Sequence, residues 1–383
     1  MNVSQNLWRI GVIACSAAVL AACQSNPAVL PPPAVNAVAT ASALFLRQAA
    51  FSGLYEVAVD AGSSVFIATS GPEGLALVER LDARSLQLLQ TIELPRRAFA
   101  LGMNRTTNTL YAGNTVSGSI TVIDAGTGLV KGVIQLATPV KNEDGKESVA
   151  HTRKVLADEV NNRVFVTSPE VPGTLWIIDG KTNTLTHTVD TGEPWTAGVA
   201  YDPVANRVYV SQGGVSEIMA IDPDTGTIVQ KISTGDTKSS APQDSKHFFI
   251  NLAIDVKGQR LFSTDANSGK LYVFDIASGK VLAQVPAGVG LLDVAYNPQR
   301  NEVYTTNRGV TRSDHSGTGA VTIIDAASYT VRRVLDLPAH PNSLALNADG
   351  SSLYVTVRRA YADVNPHFRK GGRDSVVRID LQD

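Results

Sequence analysis

Seven times along this chain an apolar run ends in aspartate: LVERLD at Asp82, ITVID at Asp124, LWIID at Asp179, IMAID at Asp222, LYVFD at Asp275, VTIID at Asp325 and VVRID at Asp380. After each of the first six a hydroxyl residue stands three positions on, at Ser85, Thr127, Thr182, Thr225, Ser278 and Ser328, and Gly128, Gly226 and Gly279 follow in three of them. A carboxylate at that place caps backbone N–H groups of an Asx-type turn, and glycine supplies positive φ, so the pattern is hairpin chemistry. Recurrence once per repeat makes these aspartates structural rather than catalytic or metal-binding.

A second marker precedes each Asp. Val65-Phe66, Leu110-Tyr111, Val164-Phe165, Val208-Tyr209, Leu261-Phe262, Val303-Tyr304 and Leu353-Tyr354 each open a strand. Eight or nine residues earlier another apolar strand begins, at Val57, Leu101, Leu156, Val199, Leu252, Val294 and Leu344. A fourth strand follows the Asp turn, as in Leu129-Val130 and Ile228-Val229. Asp-to-Asp spacings of 42, 55, 43, 53, 50 and 55 give a unit of four short strands, with insertions in some copies. The arrangement is that of an all-β, seven-bladed β-propeller with four antiparallel strands per blade. The composition agrees: only 18% of residues are charged, and the net charge of −2 excludes a globally basic nucleic-acid binder.

The last unit, ending at Asp380 to Asp383, lacks its fourth strand. The unassigned run Ala43-Leu44-Phe45-Leu46 is expected to supply it, so that an N-terminal strand closes the ring and removes an exposed edge. With Val303-Tyr304-Thr305-Thr306-Asn307 as its nearest match to a Tyr-Val-Thr-Asn core, the chain resembles the YVTN-repeat propellers and, over residues 42–383, the YncE-like bacterial periplasmic family. The resemblance implies a binding protein, with single-stranded DNA among the suggested ligands and no established catalysis.

The amino terminus reads as an address. Arg9 is followed by an uncharged stretch from Ile10 to Leu20, too short to span a bilayer but right for a signal-peptide core. Leu20-Ala21-Ala22-Cys23 then looks like a bacterial lipobox; Val12-Ile13-Ala14-Cys15 fits loosely but would leave too short a core. Residues 1–22 are therefore expected to be a lipoprotein signal, with Cys23 as the lipidated first mature residue and the outer membrane as its anchor. Gln24 at the next position favours the outer over the inner membrane. Pro27 and Pro31-Pro32-Pro33 make residues 23–41 a semi-rigid tether, and the propeller is expected over 42–383. Both cysteines lie in the first 23 residues, so the folded body has no thiol chemistry.

Hairpin parity puts the Asp turns and the first-hairpin turns on one face. The blade links and the loops between second and third strands fall on the other, and so does every long insertion: 137–153, 234–249, 307–319 and 357–374. Such faces, with the mouth of the axial channel, are where propellers bind. His151, His247, His315, His340 and His367 collect there, as do Arg96, Arg97, Arg153, Lys154, Lys246, Arg308, Arg312, Arg358 and Arg359. The positions four residues before each first-strand start (Gly53, Arg97, Thr152, Trp195, Phe248, Gly290 and His340) are expected to ring the mouth, with no carboxylate among them. The candidate ligand-binding set is Arg96, Arg97, His151, Arg153, Trp195, Lys246, His247, Phe248, Arg308, His340, Arg358 and Arg359.

Three functions fit these residues. The leading expectation is a monomeric, non-catalytic platform for an envelope protein, without cofactor or metal. An anionic ligand, single-stranded nucleic acid included, is the alternative: cations would track phosphates while Trp195 and Phe248 offer stacking faces. A metal- or cofactor-dependent enzyme of lactonase or dehydrogenase type is the third. It gains little support, because no His-x3-His pair and no Gly-x-Ser-x-Gly elbow occurs.

Overall fold

The computed structural model describes residues 45–141, 144–192, 195–236 and 244–381. The signal, Cys23 and the tether lie outside the described residues. Seven four-stranded antiparallel sheets follow one another along the chain. From the axis outward, blade 1 comprises Val57–Val59, Ser64–Ser70, Ala76–Asp82 and Leu88–Glu93, and blade 4 comprises Trp195–Asp202, Arg207–Gly213, Glu217–Asp222 and Thr227–Ser233. The innermost strands of the other blades are Ala100–Asn104, Val155–Asp158, Phe249–Asp255, Leu291–Asn297 and His340–Leu346.

Local chemistry explains the turns. Asp82 Oδ1 accepts the Ser85 N–H at 2.7 Å, and Asp124, Asp179, Asp275 and Asp325 accept the equivalent N–H groups at 2.7–3.0 Å. The Lys131 ammonium and the Thr127 N–H hold the Asp124 carboxyl down at about 2; the Ser328 N–H and Arg332 hold Asp325 at about 2. The first hairpins turn on residues of positive φ, Asn108, Asn162, Asn206, Gln259 and Asn301, a conformation Asn tolerates better than branched side chains.

The second-strand aromatics, from Phe66 in blade 1 to Tyr354 in blade 7, are at most 3% exposed and form the inter-blade core. Burying each contributes roughly 1.5–3 kcal/mol. The closing strand is Phe45–Phe51, paired antiparallel with Asp374–Asp380 from Phe45↔Ile379 to Phe51↔Asp374. Blade 7 is therefore built from both ends of the chain.

The innermost strands carry a recurrent bulge. In blades 4 to 7 the ladder slips between Thr196 and Val199, Phe249 and Leu252, Leu291 and Val294, and Pro341 and Leu344. In blades 1 and 3 the dipeptides Tyr55-Glu56 and Arg153-Lys154 face the single residues Ala68 and Thr167 in the same way. A bulge leaves one strand with a residue to spare and re-aims its side chains.

Second-strand hydroxyls hold these bulges in place. In blades 3 to 7, Thr167, Ser211, Thr264, Thr306 and Thr356 accept a bulge N–H of their own blade at 2.8–3.1 Å. Each then donates to a bulge carbonyl of the next blade at 2.7–3.1 Å, the last bond crossing from Thr356 to Tyr55. Thr306 belongs to the Tyr-Val-Thr-Asn-like segment, so the hydroxyl of that segment clasps neighbouring blades together.

Candidate functional site

The bulges place a charged layer in the axial channel. Lys154 Nζ lies 3.0 Å from Glu56 Oε1 and 3.9 Å from Asp293 Oδ2, joining blades 1, 3 and 6 across the axis. Glu56 accepts the Leu101 N–H of blade 2, and Asp293 accepts Asn251 Nδ2 at 2.7 Å and the Leu344 N–H at 2.9 Å. Arg153 Nη1 donates to the Ala197 carbonyl and to Asn251 Oδ1, and Asn342 Nδ2 donates to the Tyr55 carbonyl. All seven blades meet in this network. Burial raises the Glu56 carboxyl. Burial would lower Lys154, but Asp293 and Glu56 outweigh it and hold the ammonium above its ordinary value.

The layer at the insertion-bearing mouth is cationic and aromatic. Arg308 reaches Asn342 Oδ1 and interacts electrostatically with Tyr55, Arg358, Tyr361 and Arg153. The Arg358 guanidinium lies over Tyr55 at 5.4 Å and over Tyr361 at 5.0 Å; Arg97 lies over Phe99 at 5.0 Å, and Phe99 meets Tyr55 edge-on. His340 is buried, stacks on Tyr361 at 5.8 Å and faces Arg308, Arg358 and His315. Burial, with the Arg308 and Arg358 guanidiniums, lowers its imidazole below the ordinary value. Burial likewise lowers the Arg153 and Arg308 guanidiniums. Among the described residues no carboxylate forms an ion pair with Arg153, Arg308 or Arg358, and the buried Nε atoms of Arg308 and Arg358 have no hydrogen-bond partner.

The two insertions of blades 6 and 7 are tied beside this mouth, where Asn365 Nδ2 donates to the carbonyls of His315 and Gly317.

The candidate residues divide. Arg97, Arg153, Arg308, His340 and Arg358 converge, with Arg359 exposed at the edge over Tyr361. Trp195 and Phe248 pair edge-on at 5.3 Å, next to the Ala197 carbonyl that Arg153 reaches. Arg96 turns away to Ser119 and Gln135 of blade 2. His151 is exposed and paired with Glu170 at 3.0 Å, and Lys246 is exposed. His247 is withdrawn from the surface between Asp265 and Asp236, each 2.8 Å away, because the link into blade 5 folds inward there. Thr152 is fully buried.

A carboxylate-free mouth describes only the outer ring, since Glu56 and Asp293 stand directly beneath it. Tyr55, Glu56, Asn251, Asp293 and Asn342 were outside the sequence candidates. Their shared signal is a polar residue or Tyr just before a first strand, inside the bulge. On the opposite face a cavity of about 480 Å3 between blades 3 and 4 is lined by Arg163, His187 and Asp224, but Arg163 is taken up by Asp158, Asp224, Tyr201 and Asn206. Among the described residues no three His, Cys, Asp or Glu side chains are grouped to hold a metal ion.

The fold and the mouth together define a class: a seven-bladed β-propeller closed by its N-terminal strand, with a cationic, aromatic opening to its axial channel. Within that class the chain belongs to the YncE family. It is 34% identical over 318 residues to the Salmonella typhi protein, spanning 82% of this chain and 85% of that one. It is also 34% identical over 340 residues to the Escherichia coli K12 protein, spanning 88% and 90%. Both are called "Uncharacterized protein YncE", a name that assigns no activity. No protein-family model matches the chain. Among solved structures, hydrazine synthase of Kuenenia stuttgartiensis shares the fold at a TM-score of 0.54, with 21% identity over 68% of this chain and 74% of that one.

Proposed function

We propose that this protein is a non-catalytic binding propeller, lipid-anchored through Cys23 at the periplasmic side of the outer membrane, that takes an anionic ligand at the insertion-bearing mouth of its channel. The observation that carries the reading is the convergence of Arg153, Arg308 and Arg358, none of which forms an ion pair with a carboxylate among the described residues, although Glu56 and Asp293 act on Arg153 at longer range. A guanidinium held out of water is costly unless a counter-charge reaches it, and its planar donor fork matches phosphate and carboxylate oxygens. The pairing of those cations with Tyr55, Tyr361, Trp195 and Phe248 also suits a single-stranded nucleic acid, whose bases stack on aromatic faces.

The binding test uses a fluorescent single-stranded oligothymidylate and the full-length protein in nonionic detergent. Affinity should fall steeply with salt, log K dropping by roughly 0.7 per contacted phosphate for each unit of log salt. An affinity indifferent to salt overturns the anionic reading. For the anchor, Cys23→Ser should release the protein from the membrane fraction; a variant that still sediments with outer membranes removes Cys23 from that role.

A further inference from the structure

The anion-site reading leaves open what shape of anion the mouth accepts, and the geometry bears on that. Arg153, Arg308 and Arg358 come from blades 3, 6 and 7 and lie together, with Arg308 interacting with both of the others. They form a cluster rather than a track. Of the other cations on this face, exposed Arg97 and Arg359 stand at the cluster's edge over Phe99 and Tyr361, whereas half-buried Arg96 is bound to Gln135 and exposed Lys246 lies outside the network. The layer is also counted in charge. Among the groups that interact directly with one another, Arg153, Lys154, Arg308 and Arg358 are four cations against the two carboxylates Glu56 and Asp293, a surplus of two, with Arg97 set apart over Phe99.

Donor capacity points the same way. Guanidiniums only donate, and Asn342 is already used on both sides, its Oδ1 accepting from Arg308 and its Nδ2 donating to Tyr55. The Nε atoms of Arg308 and Arg358 are donors without an acceptor among the described residues. Tyr55 and Tyr361 both hold the Arg358 guanidinium by cation–π contact, which restrains it before any ligand arrives.

We infer that the mouth receives a single terminal dianionic head, a phosphate monoester, end-on along the channel axis, rather than a polyanion laid across the face. This rests on the anionic reading above and sharpens it. A monoester carries close to two negative charges at neutral pH and three unblocked acceptor oxygens, matching both the surplus and the idle donors. A diester carries one charge and has two oxygens esterified, so it leaves one positive charge uncompensated.

Calorimetric titration of the full-length protein with methyl phosphate and with dimethyl phosphate, at low salt and pH 7.5, separates the possibilities. Methyl phosphate should bind one to one, at least tenfold tighter than dimethyl phosphate, and raise the melting temperature of the unaltered protein. Arg308→Gln and Arg358→Gln should each weaken methyl phosphate at least tenfold, and Arg308→Lys less, while His187→Ala on the opposite face changes nothing. Because the melting shift needs no variant, misfolding of a substituted chain does not obscure the result. Equal affinity for the two esters, or several equivalents bound, overturns the end-on dianion and leaves the anionic reading standing. Salt-sensitive binding of oligothymidylate with no response to methyl phosphate does the same. If neither phosphate nor oligothymidylate binds, both readings fall.

Discussion

At 3% side-chain exposure the His247 imidazole sits with Nδ1 toward Asp265 and Nε2 toward Asp236, and its ring stacks on Phe249. Burial alone would lower this imidazole, but the hydrogen bonds it donates to Asp265 and Asp236 outweigh that and hold it above the ordinary value. A histidine raised in the fold stabilises fully below its unfolded value, about 6.5, and that contribution fades as pH climbs through the folded value. The two aspartates, both lowered, lose their share only in acid. His247→Gln should thus cost roughly 1–3 kcal/mol, with the melting-temperature gap to the parent widest near pH 5.5 and narrowing toward pH 8.5. Thermal melts across that range check it; a gap that stays constant or widens with pH shows that the imidazolium contributes nothing. The residue's location on the insertion-bearing face was legible, its burial was not. Sequence parity fixes which face a link lies on, whereas the inward fold depends on Asp265 in another strand.

The elements show the same division between what is local and what is not. Asp turns and second-strand aromatics are readable because each depends on a few adjacent residues, the turns recurring in six blades and the aromatics in all seven. From the sequence, the inner strands of blades 4 to 7 begin at Val199, Leu252, Val294 and Leu344, three to four residues inside their starts in the structure at Trp195, Phe249, Leu291 and His340. The physical cause is the bulge. It breaks the two-residue alternation, so a hydrophobic pattern reader begins after it and steps over Asn251, Asp293 and Asn342. Counting back four residues from those positions reaches Trp195, Phe248 and His340, at the outer rim, and passes over the channel layer. Arg153, Arg308 and Arg358 were legible as cations on the right face. Their convergence was not, because it joins blades 3, 6 and 7.

At the scale of the whole molecule, the ring is held by clasps between neighbouring blades, a charged layer across the axis and one seam where the two chain ends meet. The clasps running from Thr167 to Thr356 pass from blade to blade, and the Lys154 layer crosses the axis, so loosening any junction is felt around the circle. The seam depends on Phe45–Phe51, a strand whose side chains are mostly exposed except Phe51. Its contribution is therefore less hydrophobic area than main-chain pairing, reinforced by Arg47 Nε donating to Ser375 Oγ at 3.0 Å. Removing residues 45–50 from the full-length chain keeps Phe51 but uncovers the edge of Asp374–Asp380. Several ladder bonds worth about 0.5–1.5 kcal/mol each are lost, and an open strand edge invites pairing with other copies. The expected result is a melting temperature lower by on the order of 10 °C, with concentration-dependent association in detergent. Melting curves and light scattering at several protein concentrations decide it: an unchanged melt from a species that stays monomeric means that the ring closes through its inner layers alone and that the terminal strand is only a covering.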